Sequence, residues 1–389
     1  MPAAFDPFAL PQVSPYYGEE HRAFQTTVRR FVATEIEPNI DAWEDAGELP
    51  RDLHERAAAI GLIGLGFPER YGGVDGDVFM GLVSSQELAR AGAGGVGASL
   101  MTHAIALPPI VAFGSDRMKD QVVPDVLAGR KIAALAITEP SGGSDVAAIT
   151  TTARRDGDHF VVNGQKTFIT SGMRADYYTV AVRTGGEGAG GISLLLLERD
   201  MDGFDRTPLK KMGWWSSDTA TLYFDDVRVP VDNLIGGENL GFMAIMHNFN
   251  SERLGMAASA NGFAKACFQE AAGYARQRHT FGKPLLGHQV IRHKLADMAM
   301  RIQATQGYLE AVAWRVAQGD SPVVDICLLK NQATLTMEYC AREAVQILGG
   351  AGFMRGPKSE RIYREVRVNA IGGGAEEIMR DLAVRQMGL

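Results

Sequence analysis

The chain reads as an α+β, mostly α protein built in three successive parts, and three observations predict this. Apolar residues recur at helical spacing from about Glu19 to Lys131, the period falls to two between Ile132 and about Gly236, and long helical stretches return from Gly241 onward. Helices, then strands, then helices is the wrong order for a doubly wound parallel sheet, in which strands and helices must alternate. No GxGxxG opens a strand–helix unit either, so any dinucleotide must be held by another device. The parts are placed at residues 1–131, 132–236 and 237–389.

In the first part the helical pattern is broken at Pro38, at the GFPERYGG stretch and at Pro108–Pro109, which predicts several helices joined by short turns. In the second, HFVVNGQKTFIT alternates around Asn163-Gly164, a pair typical of hairpin turns, and YYTVAVRT, GISLLLLE and TATLYFDDVRVP read as further strands. In the third, GHQVIRHKLADMAMRIQATQGYLEAVAWRV and DICLLKNQATLTMEYCAREAVQIL suit an antiparallel four-helix bundle.

Composition narrows the function classes. The 389 residues are 46% hydrophobic and 22% charged, ordinary for a folded globular chain. Thirty-nine basic residues against 46 acidic ones leave a net charge of −7, which argues against binding a nucleic-acid backbone. Cys267, Cys327 and Cys340 are widely spaced, so neither a disulfide framework nor a zinc site is expected. The start of the chain has no secretory or transit pattern and no apolar run is long enough to span a membrane, so a cytoplasmic, membrane-free protein is the expectation. The 45 glycines cluster in polar loops where backbone must approach something closely.

Chemistry shows first at Glu252. In GFMAIMHNFNSERLGMAASANGF, Ile245, Phe249, Met256 and Phe263 form an apolar stripe and Glu252 falls in line with them, whereas Arg253 points off that face. A carboxyl buried without a counter-charge titrates above its usual value of roughly 4.3, in the range that suits a general base near neutrality. On the helix alone, a structural Glu satisfied from another element is the more ordinary reading. His247 and Asn248, one turn earlier, read as ordinary polar helix residues.

A second focus is AITEPSGGSDVAA, from Ala136 to Ala148. Gly142 and Gly143 let the main chain approach a ligand and Thr138 and Ser144 can hydrogen-bond it, although a loop capped by its own Ser and Asp side chains fits equally well in isolation. This stretch resembles the first motif of the acyl-CoA dehydrogenase family position for position. KTFITSG, with Phe168, Ile169 and Thr170, resembles the strand that lies against the flavin in that family. ARQRHTFGKPLLGHQ, with Arg278, Thr280, Phe281 and Gln289, resembles the segment that grips the FAD pyrophosphate of a neighbouring subunit, and QILGGAGF, with Gln346, Gly349 and Gly350, resembles the second motif. One departure is Gly356, where the family usually carries an acid.

The resemblance covers the chain from about Glu19 to its end and implies the family's fold: an N-terminal helical domain, a central β-barrel and a C-terminal four-helix bundle. It implies α,β-dehydrogenation of an acyl-CoA thioester, with FAD as cofactor, an electron-transfer flavoprotein as acceptor and a homotetramer as assembly. Many members carry the base in a Tyr-Glu-Gly-Thr stretch near the C-terminus, where this chain has Gly372-Gly373-Gly374-Ala375. A branch similar to isovaleryl-CoA and long-chain acyl-CoA dehydrogenases carries it in a helical Glu-Arg pair, matched here by Glu252-Arg253, so Glu252 is the expected base. The backbone N–H of Gly373 is the expected donor to the thioester oxygen.

Carried over residue by residue, Leu135, Ile137, Thr138, Gly143, Ser144, Phe168, Ile169, Thr170, Arg278, Thr280, Phe281, Gln289, Gln346, Gly349, Gly350, Ala375, Glu376 and Glu377 would hold FAD. Ser144, Asn250, Arg253, Gly373 and Gly374 would line the thioester site. Gly372 in place of the family's Tyr opens room beside the acyl chain and implies a medium, long or branched substrate. Glu376, Glu377 and Glu139 compete for the role of base only weakly. Trp214 and Trp215 read as packing residues as readily as flanks of the site. Two alternatives keep the fold: a flavin oxidase or monooxygenase that uses oxygen, and a flavin- or acyl-CoA-binding protein that has lost catalysis.

Overall fold

The computed structural model describes residues 5–389, apart from the side chains of His247 and Asn248, which lie outside the described residues. The first part is helical throughout: α1 (Glu19–Phe31), α2 (Ile40–Ala46), α3 (Asp52–Ala59), α4 (Val78–Ala89), α5 (Gly94–Leu100), α6 (His103–Ala106), α7 (Pro108–Phe113) and α8 (Asp116–Leu127). The prolines act as expected: α1 runs through a π-helical turn into a 3-10 turn at Pro38, and α7 starts on Pro108, where a missing N–H costs nothing. Side-chain caps start α4 and α8, where Asp77 accepts from Met80 N and Ser115 from Met118 N. No single described helix is long and apolar enough to cross a membrane.

The middle part contains β1 (Ala133–Ala136), β2 (Thr152–Asp156), β3 (His159–Thr170), β4 (Tyr177–Arg183), β5 (Ile192–Glu198), β6 (Phe204–Pro208), β7 (Thr219–Pro230) and β8 (Leu234–Ile235). They form one eight-stranded sheet in the order β6-β7-β3-β2-β4-β5-β8, with β1 pairing parallel to β4. The hydrogen-bonded path of this barrel-like unit has two ends, β6 and β8. At β4 and β5 both faces are covered. Along β5, Leu195 and Leu197 enter the core of the sheet unit, while Ile192, Leu194 and Leu196 pack into the core shared with the N-terminal helices. Two-sided burial explains the unbroken apolar run ISLLLLE.

The hairpin expected at Asn163-Gly164 is not there. β3 runs straight through that pair, and the chain reverses earlier, at Gly157 (φ +61°) between β2 and β3. Asn163 instead exchanges two hydrogen bonds with Asp226 of β7, at 2.9 and 3.0 Å, where the β3–β7 register shifts. Gly164 (φ +137°) is required because a Cβ would lie 2.8 Å from the Thr151 Cα. The glycine serves a bulge and a close strand approach rather than a turn.

The last part is built on α9 (Gly241–Gln277), a short hairpin of β9 (His279–Thr280) and β10 (Lys283–Pro284), α10 (Gln289–Ala317), α11 (Val323–Leu348), α12 (Gly350–Phe353), α13 (Lys358–Ile371) and α14 (Glu376–Gln386). Helices α9, α10, α11 and α13 pack around one core of Leu254, Phe263, Met298, Ile302, Leu329, Met337, Ile347 and Ile362, which α4 joins through Phe79, Leu82 and Val83. A second core binds the parts together: Ala244 and Ile245 of α9 share it with Ala133 of β1, Val96 and Leu100 of α5 and the N-terminal helices.

Candidate active site

The stripe on α9 opens where Glu252 sits. Ile245 and Phe263 are fully buried, but Phe249, Glu252 and Met256 between them are only partly so. Within that window Glu252 Oε2 is shielded from solvent and has no hydrogen-bond partner. Burial pushes the Glu252 carboxyl up to about 7, against the opposing pull of Arg253 and Lys330.

Against this stretch of α9, through Arg253 and Met256, packs the glycine turn that links α13 to α14. Gly373 (φ +64°) and Gly374 (φ +108°) both take left-handed backbone, which side chains resist. A Cβ on Gly373 would stand 2.5 Å from the Met256 Sδ, and one on Gly374 would run into Met379. Arg253 Nε donates to Gly373 O at 3.0 Å and its guanidinium rests 5.3 Å from the Phe249 ring. Gly373 N has no acceptor among the described residues. Glu252, Arg253, Gly373 and Gly374 are therefore brought together. Asn250, two residues before Glu252, donates its amide to Ser321 Oγ at 3.4 Å in the α10–α11 connection. Glu376 pairs with Arg380 at 2.8 Å and Glu377 is exposed.

The loop after β1 is held from beneath. Glu139 accepts from Thr150 N, Thr150 Oγ1, Thr151 N and Lys166 Nζ at 2.6–2.9 Å, and Lys166 also donates to Ile137 O at 2.9 Å. Despite burial, which pushes it up, the Glu139 carboxyl is held down at about 2 by Lys166 and these donors, and burial brings Lys166 down to about 8. Glu139 is thus structural. Its anchoring leaves Gly143 and Ser144 exposed, Thr138 half-buried, and Leu135 on β1 and Ile137 just after it facing inward. Alongside, a second register shift in β3 between Lys166 and Ile169 turns Phe168 outward, 69% exposed at φ +61°, with Ile169 buried and Thr170 half-buried beside it. An aromatic is thus held in strained backbone with its ring open to solvent. Ala375 is half-buried just ahead of the first turn of α14.

The remaining expected cofactor residues sit elsewhere. Arg278, Phe281 and Gln289 are exposed around the hairpin after α9, with Phe281 96% exposed at its tip and Thr280 half-buried, its hydroxyl 3.2 Å from His288 Nε2. Along a helix rising about 1.5 Å per residue, Arg278 is about 39 Å from Glu252. Gln346, Gly349 and Gly350 are exposed at the end of α11, where Gly349 (φ +61°) caps the helix. The up-down-up course of α9, α10 and α11 puts both groups at the same end of the bundle, remote from the glycine turn.

Sequence reasoning missed two buried ionisable groups here. Lys330 is fully buried on α11 and donates to Gly374 O at 2.7 Å and Ala370 O at 3.4 Å. It falls on the apolar stripe of Ile326, Ala333 and Met337, the same signal that exposed Glu252. Glu365 on α13 accepts from Gly94 N at 2.7 Å and Trp214 N at 2.8 Å, tying all three parts together, and burial pushes its carboxyl up to about 7. Trp214 (φ +56°) and Trp215 are packing residues: the Trp214 indole lies against Gly94, and the Trp215 ring is covered by Arg364 at 3.9 Å and Arg355 at 4.6 Å.

Three family models match the chain: acyl-CoA dehydrogenase N-terminal domain over residues 18–130, middle domain over 134–227 and C-terminal domain over 239–388. A solved structure from Mycobacterium abscessus, described as a probable acyl-CoA dehydrogenase, superposes with a TM-score of 0.94 at 48% identity, covering 96% of this chain and 100% of that one. The mitochondrial long-chain specific acyl-CoA dehydrogenase of Rattus norvegicus is 36% identical, over 95% of this chain and 87% of its own length. The cyclohexane-1-carbonyl-CoA dehydrogenase of Geobacter metallireducens is 34% identical, over 95% of this chain and 97% of its own.

Proposed function

Because this chain belongs to the acyl-CoA dehydrogenase family, we propose that Glu252 is the base of its reaction and that its substrate is a medium, long or branched acyl-CoA. The enzyme is an FAD-dependent acyl-CoA dehydrogenase. FAD, when bound, supplies the acceptor for the hydride that leaves the β-carbon. The observation that carries the base assignment is the unpartnered, shielded Glu252 Oε2 opposite the glycine turn, on a carboxyl raised to about 7. At neutral pH a large fraction of Glu252 is ionised yet basic enough to take the α-proton onto that oxygen. Negative charge then grows on the thioester oxygen, where the free N–H of Gly373 is the donor that stabilises it. Arg253 fixes the carbonyl on the other side of the turn.

The residues fit a flavin at the open Phe168 face: Thr170 follows it on β3, and Thr167 N donates to Thr138 O at 2.8 Å, which ties the loop of Thr138, Gly143 and Ser144 to that strand; Ala375 would add to the set. Arg278, Thr280, Phe281, Gln289, Gln346, Gly349 and Gly350 are too far from Glu252 to serve the same flavin, which supports their reaching the cofactor of a second subunit in a homotetramer. An electron-transfer flavoprotein is the proposed acceptor. Room for the acyl chain comes from Gly372, beside which Met256 offers a flexible thioether wall; the Geobacter relative's alicyclic substrate class is in keeping with a wide pocket. The unpaired, buried thiols suit a cytoplasmic, reducing setting.

A panel of straight and branched acyl-CoAs, read by anaerobic bleaching of the flavin, tests the substrate range. A crystal structure with a bound thioester tests the base: Glu252 is expected in contact with the α-carbon, and a different acid in that place would refute the assignment.

A further inference from the structure

Lys330 presents a physical problem. It is fully buried in the bundle core, and among the described residues no carboxylate forms an ion pair with it; its ammonium rests on two backbone carbonyls. Burying such a charge is costly, and a methionine would fill the same space. The cation needs a use, and its surroundings suggest one. Ala370 O and Gly374 O lie on either side of the Gly372-Gly373 segment, so one ammonium spans the turn from the last residues of α13 to the start of α14. With Arg253 on Gly373 O, the carbonyls of both left-handed glycines are held by cations. Asn331, the next residue on α11, adds a bond to Glu376 O at 2.9 Å. Three carbonyls around the turn are thus tied to the bundle, while the N–H of Gly373 has no acceptor among the described residues.

We propose that Lys330 is a positioning residue for the dehydrogenation: it clamps the glycine turn so that Gly373 N–H is aimed at the thioester oxygen, and it sets a positive charge behind Glu252. This rests on the reading of Glu252 as the base. The groups facing Lys330 are Glu252 and Arg253 from α9, Cys327 from its own helix and Glu376 from α14. Those facing Glu252 are Arg253 and Lys330. Burial lowers Lys330 to about 8, with Glu376, Cys327 and Glu252 opposing the fall and Arg253 adding to it, while Glu252 stands at about 7. Both groups are therefore charged together only in a narrow window. Below it the base is protonated; above it the clamp loses its charge.

The test compares wild type, Lys330→Met, Lys330→Arg and Glu252→Gln holoenzymes, each checked for flavin content and melting temperature. Wild type is expected to show a bell-shaped pH profile of kcat with limbs near 7 and 8. Lys330→Met is expected to lose roughly 10- to 100-fold in kcat with KM changed far less, to shift its acid limb upward, to lack the alkaline limb and to speed amide hydrogen exchange at residues 372–375. Lys330→Arg, which stays charged, is expected to recover much of kcat and to move the alkaline limb out of range. If Lys330→Met folds, binds flavin and keeps the wild-type kcat, pH profile and exchange while Glu252→Gln is inactive, the clamp is overturned and the base assignment stands. If Glu252→Gln is active, the base assignment itself has failed. Should Lys330→Met not fold, the Arg variant decides: an unchanged alkaline limb overturns the proposal.

Discussion

Replacing Glu252 by Gln removes one ionisable oxygen and almost no volume, so its effects on catalysis and stability can be worked out separately. A carboxyl raised from 4.5 to about 7 binds its proton more tightly in the folded enzyme than in the unfolded chain. At about 1.4 kcal/mol per pH unit, this amounts to about 3 kcal/mol. Because the folded pKa is the higher one, native stability is greatest below 4.5, declines as pH rises and levels off above about 7, where the ionised group is held in a shielded site. Glu252→Gln is never ionised. It is therefore expected to match wild type in thermal unfolding at pH 4 and to exceed it at pH 8, by up to about 3 kcal/mol if relaxation does not absorb the difference. In the same samples, the rate of flavin bleaching by acyl-CoA is expected to fall by at least roughly 10²- to 10⁴-fold, the usual contribution of a general base, with flavin content unchanged. The acid limb of wild-type kcat/KM is expected near 7. A limb near 4.5, or a Gln variant within tenfold of wild type, would refute the claim that burial at this site prepares a base.

Three further outcomes follow from the structure. Glu139→Gln strips the buried Lys166 of its partner and is expected to cost about 3–5 kcal/mol and to loosen the loop over Gly143 and Ser144; unchanged melting and flavin retention at pH 7 would contradict this. In wild type the pairing depends on ionised Glu139, whose carboxyl lies at about 2, so its contribution should persist above pH 4.5 and fade as pH falls toward 2. Glu365→Ala orphans the buried N–H groups of Gly94 and Trp214 and is expected to destabilise by at least about 2 kcal/mol. That loss should be larger at pH 5 than at pH 8, because ionisation already weakens wild type above 7, and a pH-independent loss in calorimetry would exclude this origin. Gly373→Ala is expected to cost about 1–2 kcal/mol from left-handed strain alone plus a clash with Met256; adding Met256→Ala should relieve only the clash, so full rescue of melting temperature by the double variant would show that strain is absent.

How much of this was legible in the sequence depends on whether a signal is periodic or geometric. The change from helical to two-residue period marked the three parts, and a single acid on the α9 stripe marked Glu252, because burial of a face is written into spacing. Asn163-Gly164 misled for the opposite reason. The pair has the composition of a turn, but what decides its conformation is Thr151 just ahead of the neighbouring strand β2, which no local pattern reports. Lys330 and Glu365 lie between these cases. Lys330 sits on the stripe of α11 as plainly as Glu252 sits on that of α9, yet its partners are main-chain carbonyls 40 and 44 residues away, and backbone partners leave no trace in side-chain composition. Glu365 likewise answers two N–H groups from the other two parts of the chain. A buried acid can thus be read from a sequence when its helix exposes it as an exception. Buried groups whose partners are main-chain atoms become readable only once the chain is folded.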